Sequence, residues 1–354
     1  MTVAEQFAPA AAHSATFACS DPFRPVRLWL WSVAGLIFAM VIVGGATRLT
    51  ESGLSITEWK PILGVIPPLT HEAWVDEFEK YKLIPQYAQL FPTMTLGEFQ
   101  VIYFWEWGHR LLGRVIGLAF ALPLAFFWFQ GILTRGLKWR LTGLLALGGL
   151  QGAVGWWMVT SGLSKRVEVA PERLAAHLLL ASITFAAIVW IATGLKPAAS
   201  EAGQGLKGWA FGLLALVLTQ IGLGALVAGS RAGLTYNDWP FMAGHLVPPM
   251  EHLARLDPWW LNILENITMI QFQHRLAAYA LLALALWHMV SARRGSPASK
   301  AARRATALAG LVATQAVIGI VTLMLVVPIW AGLLHQAFAM VVLAMAAVHA
   351  RRLS

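Results

Sequence analysis

The sequence predicts an all-α polytopic membrane protein in which eight transmembrane helices form two four-helix bundles related by a pseudo-twofold axis. Three observations support this prediction. The 354 residues are 58% hydrophobic and only 12% charged, whereas a soluble domain carries about 25% charged residues. Apolar stretches long enough to cross a bilayer recur along the chain. Features of the first half also reappear in the same order in the second half.

Each apolar stretch reaches the roughly 20 residues that a transmembrane helix needs. We assign helices to eight such stretches, at about residues 28–47, 103–130, 141–161, 174–194, 209–229, 266–290, 305–327 and 331–350. The remaining segments are a cytoplasmic tail at 1–27, a long outer loop at about 48–102, a cytoplasmic linker at 195–208 and a tail at 351–354. The start of the chain lacks the basic-then-apolar pattern of a cleaved signal peptide, so we expect it to remain as a tail.

The net charge of +9 follows the predicted topology. Basic residues such as Arg135, Lys138 and Arg140 concentrate in segments on one side of the membrane, and most acidic residues fall on the other side. Because cytoplasmic loops are enriched in Lys and Arg, both termini are expected in the cytoplasm, and a nucleic-acid partner is not expected. Cys19 is the only cysteine, which excludes an intramolecular disulfide, an iron–sulfur cluster and a cysteine zinc site.

An internal repeat divides the chain into two units of four helices, residues 28–194 and 209–350. The first helix of each unit leads into a related outer segment, "GGATRLTESGLSITEWKP" (44–61) and "AGSRAGLTYNDWP" (228–240). The other helices match through "GHRLLG" (108–113) with "QHRLAA" (273–278), "LQGAVG" (150–155) with "TQAVIG" (314–319), and "RLAAHLLL" (173–180) with "AGLLHQAF" (331–338). Because four helices are an even number, both units cross the membrane in the same sense and the repeat is parallel.

Four of the ten histidines occupy matched positions in this repeat: His109, His177, His274 and His335. Each lies near the outer end of its helix, so all four are expected at one depth. A single membrane histidine often makes only an interhelical hydrogen bond. Two at one level in a four-helix unit can supply both axial nitrogens of a haem. Zinc or copper would need further ligands, and Glu106 is the only other candidate at that depth. The sequence therefore predicts two haem sites, one per unit.

The residues beside the histidines indicate how the two sites differ. Glu106 precedes His109 by three residues and shares its helix face, whereas the matching position in the second unit is Gln271. A partly desolvated carboxylate can accept a proton from a nearby substrate. The first site is therefore predicted to carry out proton chemistry. The alternative is that Glu106 only pairs with Arg110 or Arg114.

Arg110 and Arg275 each follow a predicted ligand histidine near the aqueous boundary. A guanidinium there can pair with a haem propionate, and snorkelling toward water is the alternative. Glycines in the second and third helices leave room for a flat ring or, equally, let helices approach closely. These glycines are Gly108, Gly113, Gly117, Gly148, Gly152 and Gly155.

The strings "GGATRLTESGLSITEW", "EWGHRLLGR", "AGSRAGLTYNDWPFM" and "QFQHRLAAY" resemble the haem A synthase family, and the resemblance covers nearly the whole chain. It implies an enzyme that converts haem O to haem A by two hydroxylations of the C8 methyl group, followed by loss of water from the gem-diol. It also implies a resident haem B on His274 and His335. The substrate haem O would lie between His109 and His177, with Glu106 as the catalytic residue.

The same resemblance implies a location and partners. The protein would span a bacterial inner membrane, in contact with lipid, haem O synthase, assembly factors of cytochrome c oxidase and an unidentified redox partner. The resemblance does not decide whether the chain forms a homo-oligomer. Some bacterial members of the family carry a cysteine pair in the first outer loop, and this chain has none there. The absence of this cysteine pair matches the alphaproteobacterial and mitochondrial members of the family. The path that electrons take is therefore the least defined part of the implied reaction.

Two other classes of function stay open. A diheme b-type electron carrier would show similar histidines, but it needs no carboxylate beside one haem. A transporter would explain the repeat and the buried charge, but the sequence shows no Pro-broken helix pair near the midplane.

The long outer loop contains "HEAWVDEFEKYK" (71–82), which has helical spacing. Such loops are usually functional or disordered. Residues 71–82 could lie over the first site, dock a partner or form a solvated surface helix. No role is assigned to the other histidines, His13, His71, His245, His252, His288 and His349.

Overall fold

The structure is a computed structural model that describes residues 21–196 and 204–354. The predicted tail up to residue 20 and residues 197–203 of the predicted linker lie outside the described residues. The described ranges are helical apart from turns, loops and one isolated antiparallel bridge between Met242 and His245. The predicted all-α class is confirmed. The α-helices are α1 (Arg24–Leu49), α2 (His71–Lys82), α3 (Pro85–Leu90), α4 (Leu96–Phe129), α5 (Arg135–Thr160), α6 (Pro171–Gly194), α7 (Gln204–Gly229), α8 (Met250–Leu253), α9 (Leu261–Glu265), α10 (Ile267–Gly295), α11 (Lys300–Met324) and α12 (Ile329–Leu353).

Seven helices in the described part of the chain are long and apolar enough to cross a membrane: α1, α4, α6, α7, α10, α11 and α12. The remaining long helix, α5, has 26 residues. It is less uniformly apolar because it contains Gln151, paired tryptophans and several glycines. Each of the eight predicted stretches coincides with one long helix, although the ends differ by several residues.

Local sequence determines where several of these helices begin. Thr95 accepts a hydrogen bond from the N–H of Glu98, and the Glu98 carboxylate accepts one from the N–H of Thr95. This capping box starts α4 at Leu96, earlier than the predicted residue 103. Thr134 caps α5 and Ser299 caps α11 through single side-chain hydrogen bonds of the same kind.

The long helices pack in two groups. In the first group, α1 contacts α4, α4 contacts α5, α5 contacts α6 and α6 returns to α1. In the second group, α7, α10, α11 and α12 contact one another in the same cyclic order. The groups meet where α6 contacts α7 and α12, and where α1 contacts α12. One apolar core runs through both groups, and Leu30, Ile188, Leu213 and Leu343 are almost fully buried in it.

The segment predicted as one long outer loop is largely folded. It contains α2, α3, a 3₁₀ turn at Leu63–Val65 and the first turns of α4. Phe78 and Tyr81 on α2 are buried with Phe99 and Tyr103 of α4 in a second apolar cluster. One face of α2 therefore packs on the protein, so α2 is not a free helix in solvent.

Candidate functional site

The four predicted ligand histidines come from four helices. His109 is on α4 and His177 on α6, while His274 is on α10 and His335 on α12. The ring centroids of His274 and His335 lie 6.5 Å apart, with the ring planes at 78°. A metal–imidazole bond is about 2 Å long, so this separation leaves room for one iron atom between the two rings.

Each of the four imidazoles packs against a glycine on a neighbouring helix. The distances from a Cβ built on the glycine to the nearest ring atom are 3.0 Å for Gly44 and His109, 2.9 Å for Gly155 and His177, 3.1 Å for Gly224 and His274, and 2.7 Å for Gly319 and His335. A larger residue at these positions would displace the ring. Of the glycines singled out in the sequence, Gly155 has this role, whereas Gly113 faces the Met40 side chain.

Three of the imidazoles also contact a glutamine amide. The amide Nε2 lies within hydrogen-bond distance of the ring Nδ1, at 3.1 Å for Gln151 and His177, 3.1 Å for Gln220 and His274, and 3.2 Å for Gln315 and His335. Each amide also donates to the main-chain carbonyl of the same histidine, at 3.0, 3.1 and 2.9 Å. Each glutamine precedes, by four residues, the glycine that faces the same ring. The amide oxygen of all three glutamines is buried without a hydrogen-bond partner.

These observations fit axial coordination of a haem in each group. The histidines offer nitrogen donors in pairs, which is the number that a six-coordinate haem iron takes from the protein. The glycines let each ring pack closely against a neighbouring helix, and glutamine amides lie within hydrogen-bond distance of three of the rings. No group of three or more His, Cys, Asp or Glu side chains within residues 21–196 and 204–354 could hold a metal ion. The haem assignments stay predictions.

Glu106 is 3% exposed and accepts four hydrogen bonds. Ser55 Oγ and the Ile56 N–H donate to Oε2, each at 2.8 Å. Arg110 donates to Oε1 from Nε at 3.1 Å and from Nη2 at 2.6 Å. The pairing with a neighbouring arginine is therefore present, and its partner is Arg110. Because an ion pair does not prevent a carboxylate from acting as a base, the catalytic role of Glu106 stays a prediction.

Gln271 holds the position of Glu106 in the second group, but the polarity of its contacts is reversed. Its Nε2 donates to the carbonyl oxygens of Ala232 at 2.9 Å and of Tyr236 at 3.2 Å. Its Oε1 accepts a hydrogen bond from Arg275. The first group thus directs an N–H and an O–H at the carboxylate, whereas the second directs carbonyl oxygens at the amide. This difference matches the chemical asymmetry that the sequence predicts.

The two arginines predicted near haem propionates bind the backbone of the outer segments. Arg110 donates to the carbonyl oxygens of Ile56 and Glu58. Arg275, which is 9% exposed, donates to the carbonyl oxygens of Tyr236 and Phe241. Because Arg275 is buried, its side chain does not snorkel into water. A propionate contact for either arginine stays a prediction.

A charged cluster at the outer surface joins the two groups. Glu51 and Arg231 follow the ends of α1 and α7 at matched positions, and both have left-handed backbone conformations, with φ of 58° and 54°. They pair with each other, and Arg231 also pairs with Glu168. Arg48 bonds the other carboxylate oxygen of Glu168 at 2.5 Å. The two outer segments are thereby tied to the connection between α5 and α6.

Sequence reasoning missed two sets of residues. The three glutamines could have been found from the sequence, because the pattern Gln-x-x-x-Gly recurs at Gln151, Gln220 and Gln315. The second set is His288 and His349, whose Nε2 atoms lie 2.8 Å apart and whose side chains are completely buried. No local pattern connects them, since α10 and α12 bring together residues that are 61 positions apart in the sequence.

Fold and site together define a helical protein of membrane-spanning type with paired histidines suited to haem. The family model described as "Cytochrome oxidase assembly protein" (COX15-CtaA) matches residues 27–347. A Heme A synthase of Beijerinckia indica subsp. indica is 59% identical over 336 residues, which cover 94% of this chain and 93% of the relative. A Heme A synthase of Methylobacterium sp. (strain 4-46) is 60% identical over 336 residues with the same coverage. A Heme A synthase of Brucella ovis is 53% identical over 332 residues, or 93% of this chain and 91% of the relative. The chain belongs to the haem A synthase family.

Proposed function

We propose that this protein converts haem O to haem A by oxidising the C8 methyl group to a formyl group, through two hydroxylations and loss of water. The observation that carries this proposal is the asymmetry between two otherwise matched histidine pairs. A carboxylate, Glu106, stands one helical turn from His109, while the amide of Gln271 stands one turn from His274. Relatives named Heme A synthase, which cover more than nine-tenths of the chain, support the same reaction.

The proposed architecture has eight transmembrane helices in two pseudo-twofold-related bundles, residues 28–194 and 209–350. The cyclic packing of α1, α4, α5 and α6, repeated by α7, α10, α11 and α12, supports this arrangement. The proposal includes α5, whose 26 residues are long enough to span. With eight spans, both termini lie on the cytoplasmic side of a bacterial inner membrane.

In this proposal His274 and His335 hold a resident haem B, and His109 and His177 hold the substrate haem O. Haem B, when bound, supplies electron transfer. The chain's own residues orient the substrate through the two imidazoles and exclude water by covering the first group with α2 and the segment around Ile56. Arg110 fixes that segment and Glu106 together, because it donates to both.

Glu106 is the proposed proton acceptor for the substrate. Its donors, which include a guanidinium and a main-chain N–H, suit a charged carboxylate. The burial of its side chain keeps bulk water from competing for the proton. Haem O synthase, assembly factors of cytochrome c oxidase, a redox partner and membrane lipid are the partners that this function implies.

Co-expression with a haem O synthase tests the function. Membrane haems are extracted and separated by chromatography, with an empty vector beside the chain to account for haem A made by the host. We expect haem A or its alcohol precursor only in cells that contain the chain. Unchanged haem O, with a folded chain that carries haem B and with native membrane donors supplied, would instead favour a diheme electron carrier.

A further inference from the structure

We infer that His109 is the releasable axial ligand of the N-terminal haem and that Gln151, Gln220 and Gln315 are positioning residues that keep the other three imidazoles on their irons. The inference rests on the proposed function, because it requires a haem between His109 and His177. It assigns different roles to His109 and His177, which the sequence alone does not distinguish.

Each glutamine amide contacts both the ring and the backbone of its histidine. Its Nε2 lies 3.1 to 3.2 Å from the ring Nδ1 and 2.9 to 3.1 Å from the main-chain carbonyl oxygen of the same residue. For Gln151 and Gln220 the same atom is also 3.3 Å from the ring Nε2, so the amide lies between the two ring nitrogens rather than in line with Nδ1. A ring tied to its own backbone through one neighbouring side chain has little freedom to rotate about its χ angles. Partners of this kind orient metal-bound imidazoles and tune how strongly they bind.

The fourth position carries a methionine. Gly44 faces His109 as Gly224 faces His274, and the residue four positions earlier is Met40 in the first case and Gln220 in the second. The Met40 Cε lies 3.3 Å from a Cβ built on Gly113, one turn along α4 from His109. Met40 therefore lies one turn of α4 away from His109, but its thioether provides no N–H donor.

His109 is consequently the least restrained of the four rings. Its imidazole makes no side-chain hydrogen bond to any described residue, whereas the other three each have a glutamine amide. Iron bound at Nε2 leaves a proton on Nδ1. A ring with its proton on Nδ1 cannot accept a hydrogen bond from the amide N–H at that atom. In the haem-bound state each glutamine therefore restrains its histidine by donating to the main-chain carbonyl and by packing against the ring. His109 has no such neighbour at the matched place.

Release of His109 is a ligand exchange without electron transfer. The bond between iron and His109 breaks, the imidazole keeps its electron pair, and the open iron position accepts an external ligand. In turnover, this opens the face of the substrate haem on the side of α4, where Glu106 is located. His177, held by Gln151, keeps the haem in the protein meanwhile.

Carbon monoxide is a direct probe, because it binds a reduced haem only where an axial position can open. The full chain with both haems is reduced, titrated with carbon monoxide and followed by optical difference spectra. In the wild-type chain we expect one of the two haems to respond. Met40→Gln gives His109 the missing amide and should weaken carbon monoxide binding about 10- to 100-fold. Gln220→Met removes the matched amide from His274 and should make the second haem respond.

Met40→Leu is the matched control, because it keeps the apolar volume without adding an amide, and it should bind carbon monoxide like the wild-type chain. Haem content per chain is measured for every variant. Met40→Gln with both haems present and wild-type carbon monoxide affinity would overturn the inference. If Met40→Gln does not retain haem, a haem-loaded Gln220→Met variant whose second haem stays unresponsive would overturn it instead. Haem A formation by the wild-type chain is assayed separately, so failure of the proposed function is recognised independently.

Discussion

Ser55 Oγ donates a hydrogen bond to Glu106 Oε2 at 2.8 Å, so the segment that follows α1 and the acidic residue on α4 form one structural unit. The next N–H along the chain, that of Ile56, donates to the same oxygen. Arg110 closes the unit by binding both the carboxylate and the Ile56 carbonyl. The position of the proposed proton acceptor therefore depends on a stretch of backbone outside its own helix.

Replacing Glu106 by glutamine should abolish haem A formation while both haems remain bound. An amide has no basicity to accept the proton, and loss of a general base costs about 10²- to 10⁴-fold in rate. The substitution keeps the side-chain volume and one oxygen that can accept from Ser55 and Ile56, and haem content per chain shows whether the fold is retained. The measurement is haem extraction and chromatography after co-expression with haem O synthase. Glu79→Gln, at an exposed carboxylate on α2, is the control, and full activity of Glu106→Gln would remove Glu106 from the mechanism.

Ser55→Ala should lower the rate of haem A formation while leaving the haem content unchanged. The substitution removes one of four hydrogen bonds to Glu106, so the carboxylate keeps its charge partner but loses part of its orientation. The loss of a net hydrogen-bond contribution of about 0.5–1.5 kcal/mol corresponds to a rate decrease of about twofold to about thirteenfold. Thr235→Ala is the matched control at the equivalent, exposed place in the second unit. Equal effects of the two substitutions would contradict a specific role for Ser55.

Gly319→Ala should reduce haem occupancy of the second group. The added methyl would lie 2.7 Å from His335 Cε1, and overpacking of this kind costs about 1–3 kcal/mol. Gly310→Ala on the same helix adds the same methyl where nothing lies within 4 Å. Haem content and optical spectra of the purified variants provide the comparison. We expect a deficit in Gly319→Ala alone, and normal haem binding in that variant would show that the ring can move without loss.

Acidification should loosen the outer segment that carries Glu58. Hydrogen bonds from Lys60 and Lys80 hold the pKa of this carboxyl below its usual value of 4.5. Because the folded pKa is the lower one, the carboxylate stabilises the segment above about pH 4.5, and the stabilisation is lost as the pH falls through the folded value. Hydrogen exchange of residues 58–82, followed from about pH 7 to about pH 3 and expressed as protection relative to the intrinsic exchange rate at each pH, should show falling protection.

Glu58→Gln should remove that part of the pH dependence, whereas Glu79→Gln, whose partner is Lys82, should retain it. The contribution of the lysines to stability depends on pH with the opposite sign. The hydrogen bond with Glu58 raises the pKa of Lys60 above 10.5, so its contribution is present below that pH and is lost in stronger alkali. An identical acid response in the wild-type chain and in Glu58→Gln would rule out this cluster as the cause.

Much of the fold was predictable because its determinants are local. A run of apolar residues reveals a long helix wherever it packs, and matched histidines could be found by comparing the two halves. The start of α4 was missed because apolar content does not mark it; the capping box of Thr95 and Glu98 does. The long outer loop was underestimated for a related reason. The helical face of α2 is evident only when Phe78 and Tyr81 meet residues of α4.

The site was predictable in its residue types but not in its contacts. Glu106 was singled out from the difference between two repeats, and its pairing with Arg110 was one expected alternative. Its other two partners, Ser55 and Ile56, lie about 50 positions earlier in the chain and were not predicted. Arg110 and Arg275 were proposed as propionate contacts because each follows a ligand histidine near the aqueous boundary. Their contacts with main-chain carbonyls of the outer segments join distant parts of the chain and could not be predicted from the sequence. No role was assigned to His349 from the sequence, although α12 continues to Leu353 and buries its side chain.

The pair formed by Glu51 and Arg231 has a consequence for which partner each half can accept. The two residues occupy the same place in their respective repeats, yet they carry opposite charges and bind each other. Two copies of either half, joined in the same way, would place two glutamates or two arginines at this contact, and like charges repel. The contact therefore makes each half complementary to the other half and not to a second copy of itself.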